Sequence, residues 1–270
     1  MSSVPQPSSF RPSADYLDKC GQILETVKAQ ESSINTAADW FSETILAGQM
    51  VHVFGSGHSR IMVEEMWPRY GSFPGFNPIV ELSLTFHNLV VGANGQRQAM
   101  FLENVSGLAN RILRNFDLQE GDSALVISSS GCNVVPVEMA EEFQKRGVRV
   151  VALISRAHSD ASTSKHVSGK KLSDFADLVL DTGAPVGDAM VKLENLETPI
   201  SPGSTIGGAM LVNAIKAEVA QRLVDAGQPP KVLTAGAVVG AEKAAEIFEA
   251  AYDEHGRRIA KYYQNLGAEV

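Results

Sequence analysis

The chain has 270 residues, of which 44% are hydrophobic and 20% are charged, and this composition is typical of a globular protein with a sizeable core. Its formal net charge of −8 argues against a nucleic-acid-binding protein, because such proteins bind phosphates through excess lysine and arginine. No apolar run approaches the roughly 18–20 residues that a membrane-spanning helix needs, and the N-terminus lacks the pattern of a signal peptide. We therefore expect a cytoplasmic protein without nucleic-acid or membrane partners, in which Cys20 and Cys132 are reduced thiols.

The chain is predicted to form one domain after a short tail. Residues 1–12 are rich in serine and proline and predict a disordered tail, so residues 13–270 form a single domain with its core at about 35–225. Apolar residues at three- and four-residue steps predict a long helix over 13–47. Short apolar runs predict strands at Met50–Phe54, Asn77–Leu84, Ser123–Ile127, Val148–Ile154 and Leu178–Leu180. Further helices are predicted at Ser59–Tyr70, Phe101–Phe116, Val134–Arg146, Gly203–Ala226 and Ala241–Gln264.

The order of these elements indicates the fold class. Short strands that are apolar throughout and alternate with helices are typical of a parallel sheet that is covered on both faces. We therefore predict an α/β fold. Ligands of such sheets bind at the carboxyl ends of the strands, and two turns of small residues are predicted to lie at that edge.

Both turns have the composition of an anion site. Gly55-Ser56-Gly57-His58-Ser59 follows the first predicted strand, and Ser128-Ser129-Ser130-Gly131-Cys132-Asn133 follows the third. Such turns at the start of a helix offer backbone N–H groups, hydroxyl donors and the positive end of the helix dipole. The first turn also begins a dinucleotide-binding pattern, but Arg60 stands at its third glycine position, and a tight structural turn is another explanation. The second turn has more hydroxyls than a helix cap requires, so it predicts a phosphate site formed by Ser128, Ser129, Ser130 and Asn133.

The two turns resemble those of the sugar isomerase (SIS) domain family, in which Gly-x-Gly-x-Ser and Ser-x-Ser-Gly-x-Thr turns follow strands. Asn133 stands where threonine is usual. The resemblance implies a three-layer fold with a five-stranded parallel sheet flanked by helices, and a serine loop that holds the phosphate of a phosphosugar. It also implies a homodimer or homotetramer with sites near the subunit interfaces.

Within that family the chain is most similar to an uncharacterised bacterial branch. The similarity covers roughly residues 20–225 and rests on Phe54-Gly55-x-Gly57-His58-Ser59, Leu102-Glu103 with Gly107, His166-x-Ser168-Gly169-Lys170 and Pro185-x-Gly187-Asp188-Ala189. The N-acetylmuramic acid 6-phosphate etherases are similar at a greater distance. Their first catalytic glutamate precedes a proline and a Tyr-Gly pair, as in Glu65-Met66-Trp67-Pro68-Arg69-Tyr70-Gly71, and their second falls near Glu103.

Three glutamates are candidates for proton transfer at a sugar carbon. Glu65 shares the apolar face of Ile61 and Met62, where a carboxylate is costly unless it has a task or a structural hydrogen bond. Glu31 lies within the apolar stripe of the first helix. Instead of a catalytic role, its side chain could extend to solvent from the edge of the stripe or contact a partner subunit. Glu103 lies opposite the apolar stripe of its predicted helix, so only the resemblance indicates a catalytic role.

Three histidines and one serine are further candidates. His58 lies inside the first turn and either contacts the ligand or caps the helix, and His87 is either an acid–base residue or a surface loop histidine. His166 lies in a polar stretch that either covers a phosphate or is a solvated loop. Ser204 either caps its helix or faces the ligand, whereas His158 has no distinguishing pattern. Metal-ligand spacings are absent, so we expect neither a metal nor a cofactor.

The sequence therefore predicts an enzyme acting on a sugar phosphate, with an amino-sugar 6-phosphate as the expected substrate. Glu65, Glu31 or Glu103 would remove a proton next to the carbonyl, and His87 would assist ring opening or protonate a departing oxygen. Reprotonation would give an aldose–ketose isomerase, and loss of a substituent would give a dehydratase or etherase-type lyase. The alternative is a phosphosugar-binding sensor that has no catalytic activity and acts through a protein partner.

Overall fold

The computed structural model describes residues 10–85 and 95–266, and an all-parallel, five-stranded sheet lies at the centre of the fold. The strand order is β2-β1-β3-β4-β5. Its strands are β1 (Val51–Gly55), β2 (Phe76–Ile79), β3 (Ser123–Ile127), β4 (Arg149–Ile154) and β5 (Leu178–Asp181). A separate antiparallel hairpin, which was not among the predicted elements, pairs β6 (Ala189–Val191) with β7 (Ile200–Pro202).

The α-helices lie on both faces of the sheet. The N-terminal half contains α1 (Pro12–Lys28), α2 (Glu31–Leu46), α3 (Arg60–Met66), α4 (Leu82–Thr85), α5 (Gln96–Leu102) and α6 (Leu108–Leu113). The C-terminal half contains α7 (Val134–Lys145), α8 (Arg156–Asp160), α9 (Ser204–Asp225), α10 (Gly236–Val239) and α11 (Ala241–Ala260). In the described ranges, no helix has both the length and the apolar character that crossing a membrane requires.

Two hydrophobic cores separate the sheet from its helical layers. In β3, Leu125 and Ile127 face a core shared with α1, α2, α3 and α9, whereas Ala124 and Val126 face a core shared with α6 and α7. Side chains alternate between the faces of a strand, so a strand buried on both faces is mostly apolar, and the buried polar residues His52 in β1 and Ser123 in β3 form hydrogen bonds. The predicted three-layer α/β fold is therefore confirmed.

The prediction of one long helix over 13–47 is wrong in one respect, because the structure divides this segment into α1 and α2. Gln30 lies at the break, where its side-chain Nε2 donates to the Asp181 carbonyl oxygen at 2.8 Å and its Oε1 accepts from the Asp181 N–H at 2.7 Å. The amide thus pairs with the backbone at the end of β5. This partner is distant in sequence, so helical periodicity alone does not reveal the break.

The prediction of a single helix over 101–116 is also wrong. The segment contains two helices, since α5 ends at Leu102 and α6 begins at Leu108. Gly107, the residue before α6, has φ of 82°, a left-handed backbone conformation that a continuous α-helix cannot contain. Glu138 accepts hydrogen bonds from the Ser106 hydroxyl at 2.5 Å and from the Gly107 N–H at 2.8 Å. Together these interactions turn the chain between α5 and α6.

Other predicted boundaries shift by a few residues. The strand predicted over 77–84 ends at Ile79, and α4 follows it, with the Glu81 carboxylate accepting from the Leu84 N–H at 2.9 Å. The helices predicted to reach Tyr70 and Gln264 end as α-helices at Met66 and Ala260. Of the predicted tail, residues 1–9 lie outside the described residues, and α1 begins at Pro12.

Candidate functional site

A cleft of about 390 Å³ opens where the carboxyl ends of β1, β3 and β4 meet. The structure brings both small-residue turns and two other predicted positions to its walls. The predicted residues that line it are Ser56, Gly57, His58, Ser59, Glu103, Ser128, Ser129, Ser130, Asn133 and Ser204. The remaining lining residues are Met62, Gln96, Ala99, Met100, His158, Asp188, Pro202 and Thr205.

The first turn is compact because its glycines have no side chains. A Cβ atom at Gly55 would lie 2.7 Å from the Ser59 carbonyl oxygen, which is too close for any other residue. Gly57 has φ of 57°, in the left-handed region. The turn continues as a short 3₁₀ helix over Gly57–Ser59 and then as α3. It therefore places Ser56 at the inner wall of the cleft.

The second turn is folded by its own hydroxyls. The Ser128 Oγ accepts from the Gly131 N–H at 3.2 Å, and the Ser130 Oγ accepts from the Cys132 N–H at 3.3 Å. Gly131 has φ of 62°, and helix α7 begins two residues after Cys132. The turn thus approaches the cleft at the positive end of a twelve-residue helix.

Donors of this turn are left without internal partners. The Ser129 hydroxyl is buried and forms no hydrogen bond within the described residues. The backbone amides of Ser129 and Ser130 likewise have no acceptor there. A buried hydroxyl without a partner costs free energy, and a bound oxyanion would provide the missing acceptor.

Glu103 connects the two turns. Its Oε1 accepts from the Ser56 hydroxyl at 2.6 Å, and its Oε2 accepts from the Asn133 side-chain amide at 2.5 Å. The Glu103 carbonyl oxygen also accepts from the Val135 N–H at 2.9 Å, at the start of α7. These contacts hold the carboxylate between the turns. They are possible because α5 ends at Leu102, the residue before Glu103.

A lysine contacts the side-chain amide that also binds this carboxylate. The Lys165 Nζ donates to the Asn133 Oδ1 at 2.9 Å, and the Lys165 N–H donates to the Cys132 carbonyl oxygen at 2.8 Å. Asn133 therefore stands between an ammonium and a carboxylate, with its amide orientation determined by both. Asn133 thus donates through Nδ2 and accepts through Oδ1, whereas a threonine would have to do both through a single hydroxyl oxygen.

The wall beside β4 contains two residues that the sequence prediction did not select. The His158 Nδ1 accepts a hydrogen bond from the Gly187 N–H at 3.0 Å. The Asp188 carboxylate accepts from the Ser204 N–H at 2.6 Å and from the Ser204 hydroxyl at 2.7 Å. His158 follows β4 at the sheet edge where ligands bind. This position after a predicted strand could have identified it from the sequence.

Glu65 does not line the cleft. Its carboxylate accepts from the Asn213 side-chain amide at 2.9 Å and pairs with the Arg69 guanidinium at 2.5 Å, in a separate depression. Burial alone would raise the pKa of Glu65, but the hydrogen bonds from Asn213 and Arg69 outweigh it and lower this pKa. The structural hydrogen bond considered in the sequence interpretation is thus present, and a catalytic role stays a prediction.

The other predicted residues lie away from the cleft or outside the described chain. Glu31 is exposed beside an apolar depression formed by α1, α2 and α9. The His166 Nδ1 lies 2.7 Å from the Ser168 hydroxyl, in a loop that does not line the cleft. His87 lies outside the described residues. Over 10–85 and 95–266, no group of three or more His, Cys, Asp or Glu side chains is suited to hold a metal.

Comparison with known proteins identifies relatives along most of the chain. The SIS domain family matches residues 15–155. A UPF0309 protein of Listeria innocua is 33% identical over 253 residues, covering 93% of this chain and 99% of the relative. A UPF0309 protein of Halalkalibacterium halodurans is 37% identical over 236 residues, covering 87% and 94%.

Among solved structures, a phosphoheptose isomerase from Francisella tularensis matches with a TM-score of 0.50 and 16% sequence identity. The match covers 77% of this chain and 96% of that chain. At this level of identity the likeness concerns the fold, and it agrees with the five-stranded parallel sheet described above.

Proposed function

The chain belongs to the UPF0309 family and contains a SIS domain, and on this premise we propose that it is an enzyme acting on a sugar phosphate without a cofactor. The expected substrate is an amino-sugar 6-phosphate, in keeping with the resemblance to the etherases. Catalysis would proceed by removal of a proton next to the carbonyl of the opened sugar.

The second turn is the proposed phosphate site. Its support is the adjacent start of α7, together with the buried Ser129 hydroxyl and the Ser129 and Ser130 amides, which have no hydrogen-bond partner among residues 10–85 and 95–266. Backbone amides and a helix dipole favour a phosphate at such a position. Lys165 beside Asn133 adds a positive charge that offsets the carboxylate of Glu103.

Glu103 is the proposed base, and its position between the two turns is the observation that carries this proposal. Its oxygens accept hydrogen bonds from a hydroxyl and an amide, and each oxygen keeps a second lone pair that can take a proton. The carboxylate would remove the C2 proton of the open-chain aldose, and the electron pair would form an enolate with the C1 carbonyl oxygen, which is an enediolate only where C2 carries a hydroxyl group. This step requires a carboxylate near the phosphate site, and Glu103 is the glutamate that lines the cleft among the described residues.

Two outcomes share that intermediate. Return of the proton to C1 gives the ketose where C2 carries a hydroxyl group, which is isomerisation. Where C2 carries an amino group it gives an imine, and water must then release ammonia to form the ketose. Breakage of the C3–oxygen bond instead gives an unsaturated product and releases the oxygen substituent, which must then gain a proton. A ring-opening or proton-donating role for His87 stays part of the proposal, and the etherase-like stretch around Glu65 keeps elimination open.

Proton NMR in D₂O tests this function directly. The purified full chain is incubated with N-acetylglucosamine 6-phosphate, glucosamine 6-phosphate or fructose 6-phosphate, with Glu103→Gln as the matched control. Loss of the C2 proton signal of either aldose, or of a C1 proton signal of fructose 6-phosphate, indicates exchange, and a vinylic signal distinguishes elimination from isomerisation. Binding of these sugars without exchange or product would favour the sensor, and failure of all of them to bind would reject the proposal.

We also propose that the protein forms a homodimer or homotetramer. An apolar depression lined by Leu24, Val27, Ile34 and Met210 supports a contact with a second copy, because such surfaces are often protein interfaces. Glu31 lies at its margin, so a partner subunit would change the surroundings of this glutamate. Light scattering coupled to size-exclusion chromatography measures the mass, and a mass of one chain would contradict the proposal.

A further inference from the structure

His158 lies directly beside the proposed phosphate turn. The Ser155 N–H donates to the Ser129 carbonyl oxygen at 2.9 Å, which ties the start of α8 to the turn. The Ser155 hydroxyl accepts from the His158 N–H at 3.1 Å, and the Ser162 hydroxyl donates to the His158 carbonyl oxygen at 2.7 Å. The backbone that carries the imidazole is therefore held on both sides.

The hydrogen bond from Gly187 determines which ring nitrogen of His158 carries the proton. An Nδ1 atom that accepts from the Gly187 N–H at 3.0 Å cannot itself be protonated. The proton of the neutral ring is then on Nε2, which forms no hydrogen bond to any described residue. Since His158 lines the cleft, this N–H is an available donor beside the turn.

The loop that carries Gly187 has an unusual backbone. Gly187 and Asp188 have φ of 77° and 68°, and a left-handed conformation at a residue other than glycine is uncommon. The Asp188 carboxylate accepts from the Ser204 N–H and hydroxyl, which holds it against the start of α9. Such strain persists where the surroundings enforce it, often at functional sites, and here it directs the Gly187 N–H at His158.

We propose that His158 is a phosphate ligand of this site, donating a hydrogen bond from Nε2–H to an oxygen of the phosphate held by the second turn. This inference rests on the proposed function, since it assumes that the turn binds the phosphate group. The Gly187 N–H faces Nδ1, so the ring hydrogen that can reach a ligand is the one on Nε2. Gly187 is thus a positioning residue that acts through His158.

Two substitutions separate binding from structure. His158→Asn keeps an acceptor near the position of Nδ1 for the Gly187 N–H but removes the Nε2 donor. His158→Gln places an amide donor near the position of Nε2 but removes the acceptor for Gly187. Loss of a hydrogen bond to a charged group typically weakens binding by about tenfold or more. We expect that loss in His158→Asn and a smaller loss in His158→Gln.

The experiment is an NMR titration of the isotope-labelled full chain with inorganic phosphate and with glucosamine 6-phosphate. Long-range proton–nitrogen spectra report the tautomer of His158, and amide spectra report Ser129 and Ser130. We expect a protonated Nε2 in the free protein, and movement of the His158 ring signals together with the amides of the turn. The melting temperature of each variant is measured alongside.

The outcomes distinguish this inference from the proposed function. Movement of the turn amides without the His158 ring, or wild-type phosphate affinity in His158→Asn, would overturn the inference and leave the phosphate site intact. A protonated Nδ1 in the free protein would also overturn it. Absence of any response from the turn to either probe would reject both the phosphate site and the part of His158 in it.

Discussion

The hydroxyl of Tyr262 donates a 2.6 Å hydrogen bond to the buried carboxylate of Asp122, 140 residues earlier in the chain. The same hydroxyl accepts from the Met50 N–H at 2.9 Å, just before β1. The second oxygen of Asp122 lies 3.0 Å from the His52 Nε2. The segment after α11 is therefore tied to the amino-terminal edge of the sheet, opposite the cleft.

Removal of the Tyr262 hydroxyl should destabilise the fold without affecting the site. Tyr262→Phe leaves the buried Met50 N–H and one oxygen of Asp122 without this partner, which costs about 1–3 kcal/mol of the free energy of unfolding. Burial and the neighbouring Asp122 raise the pKa of Tyr262, so the hydroxyl stays a donor at neutral pH. Urea unfolding measures the change, and the exposed neighbour gives the control Tyr263→Phe. Equal stability of both variants would contradict the prediction.

The sheet was more predictable than the connections that build the cleft. The strand over Ser123–Ile127 has the predicted bounds, because residues 124–127 form an unbroken apolar run, as expected of a strand buried on both faces. The breaks at Gln30 and Gly107 depend instead on Asp181 and Glu138, which are distant in sequence. No local period encodes such partners.

The same difference applies to the site. The two turns could be found from sequence because glycine, serine and a helix start are adjacent in the chain. The place of Glu103 between them requires the end of α5, and the place of His158 requires the hydrogen bond from Gly187. Helical periodicity selected Glu65 because it shares an apolar face, and the structure shows its carboxylate paired with Arg69 and Asn213.

Glu142 should make stability depend on pH in the acidic range. Burial alone would raise the pKa of this residue, but hydrogen bonds from Arg146, Lys145 and Asn110 lower it to about 2 from an ordinary value of 4.5. Because the folded-state pKa is depressed, the stabilisation is present above pH 4.5 and is lost as the pH falls towards 2. Solvent screening limits it to about 1 kcal/mol.

Substitution of Glu142 tests this pH dependence. Glu142→Gln should unfold with a shallower loss of stability between pH 4.5 and 2 than the wild type, as measured by thermal melting across that range. Glu141→Gln removes the same charge from the same helix and is the matched control. Parallel pH profiles of the wild type and Glu142→Gln would contradict the assignment.

Substitution of Ser129 should weaken phosphate binding without lowering the stability of the fold. Ser129→Ala removes a buried hydroxyl that has no described partner, so the free energy of unfolding should stay the same or rise slightly. Phosphate affinity should fall by about tenfold, because the hydroxyl is a proposed ligand. Ser128→Ala is the contrasting variant, since it removes the acceptor of the Gly131 N–H and should lower stability. Calorimetric titration with glucosamine 6-phosphate would refute the prediction if Ser129→Ala bound like the wild type.

The identity of the base is tested by two glutamate variants with the same change of charge. Glu103→Gln should lower the rate of C2 proton exchange by about 10²–10⁴-fold, because the amide cannot accept the proton. It should still bind the sugar phosphate. Glu65→Gln weakens a hydrogen-bonded ion pair outside the cleft, so we expect a lower melting temperature and an exchange rate within about twofold of wild type.

The opposite pattern would have a specific structural meaning. If Glu65→Gln abolished exchange and Glu103→Gln did not, the base would be Glu65, and the reacting sugar would have to reach the depression that contains Arg69 and Tyr70. Because the described cleft does not include that depression, a second copy of the chain would then have to complete the site. Mixing inactive Glu65→Gln with inactive Ser130→Ala chains would test this, since a shared site would regain activity in mixed oligomers.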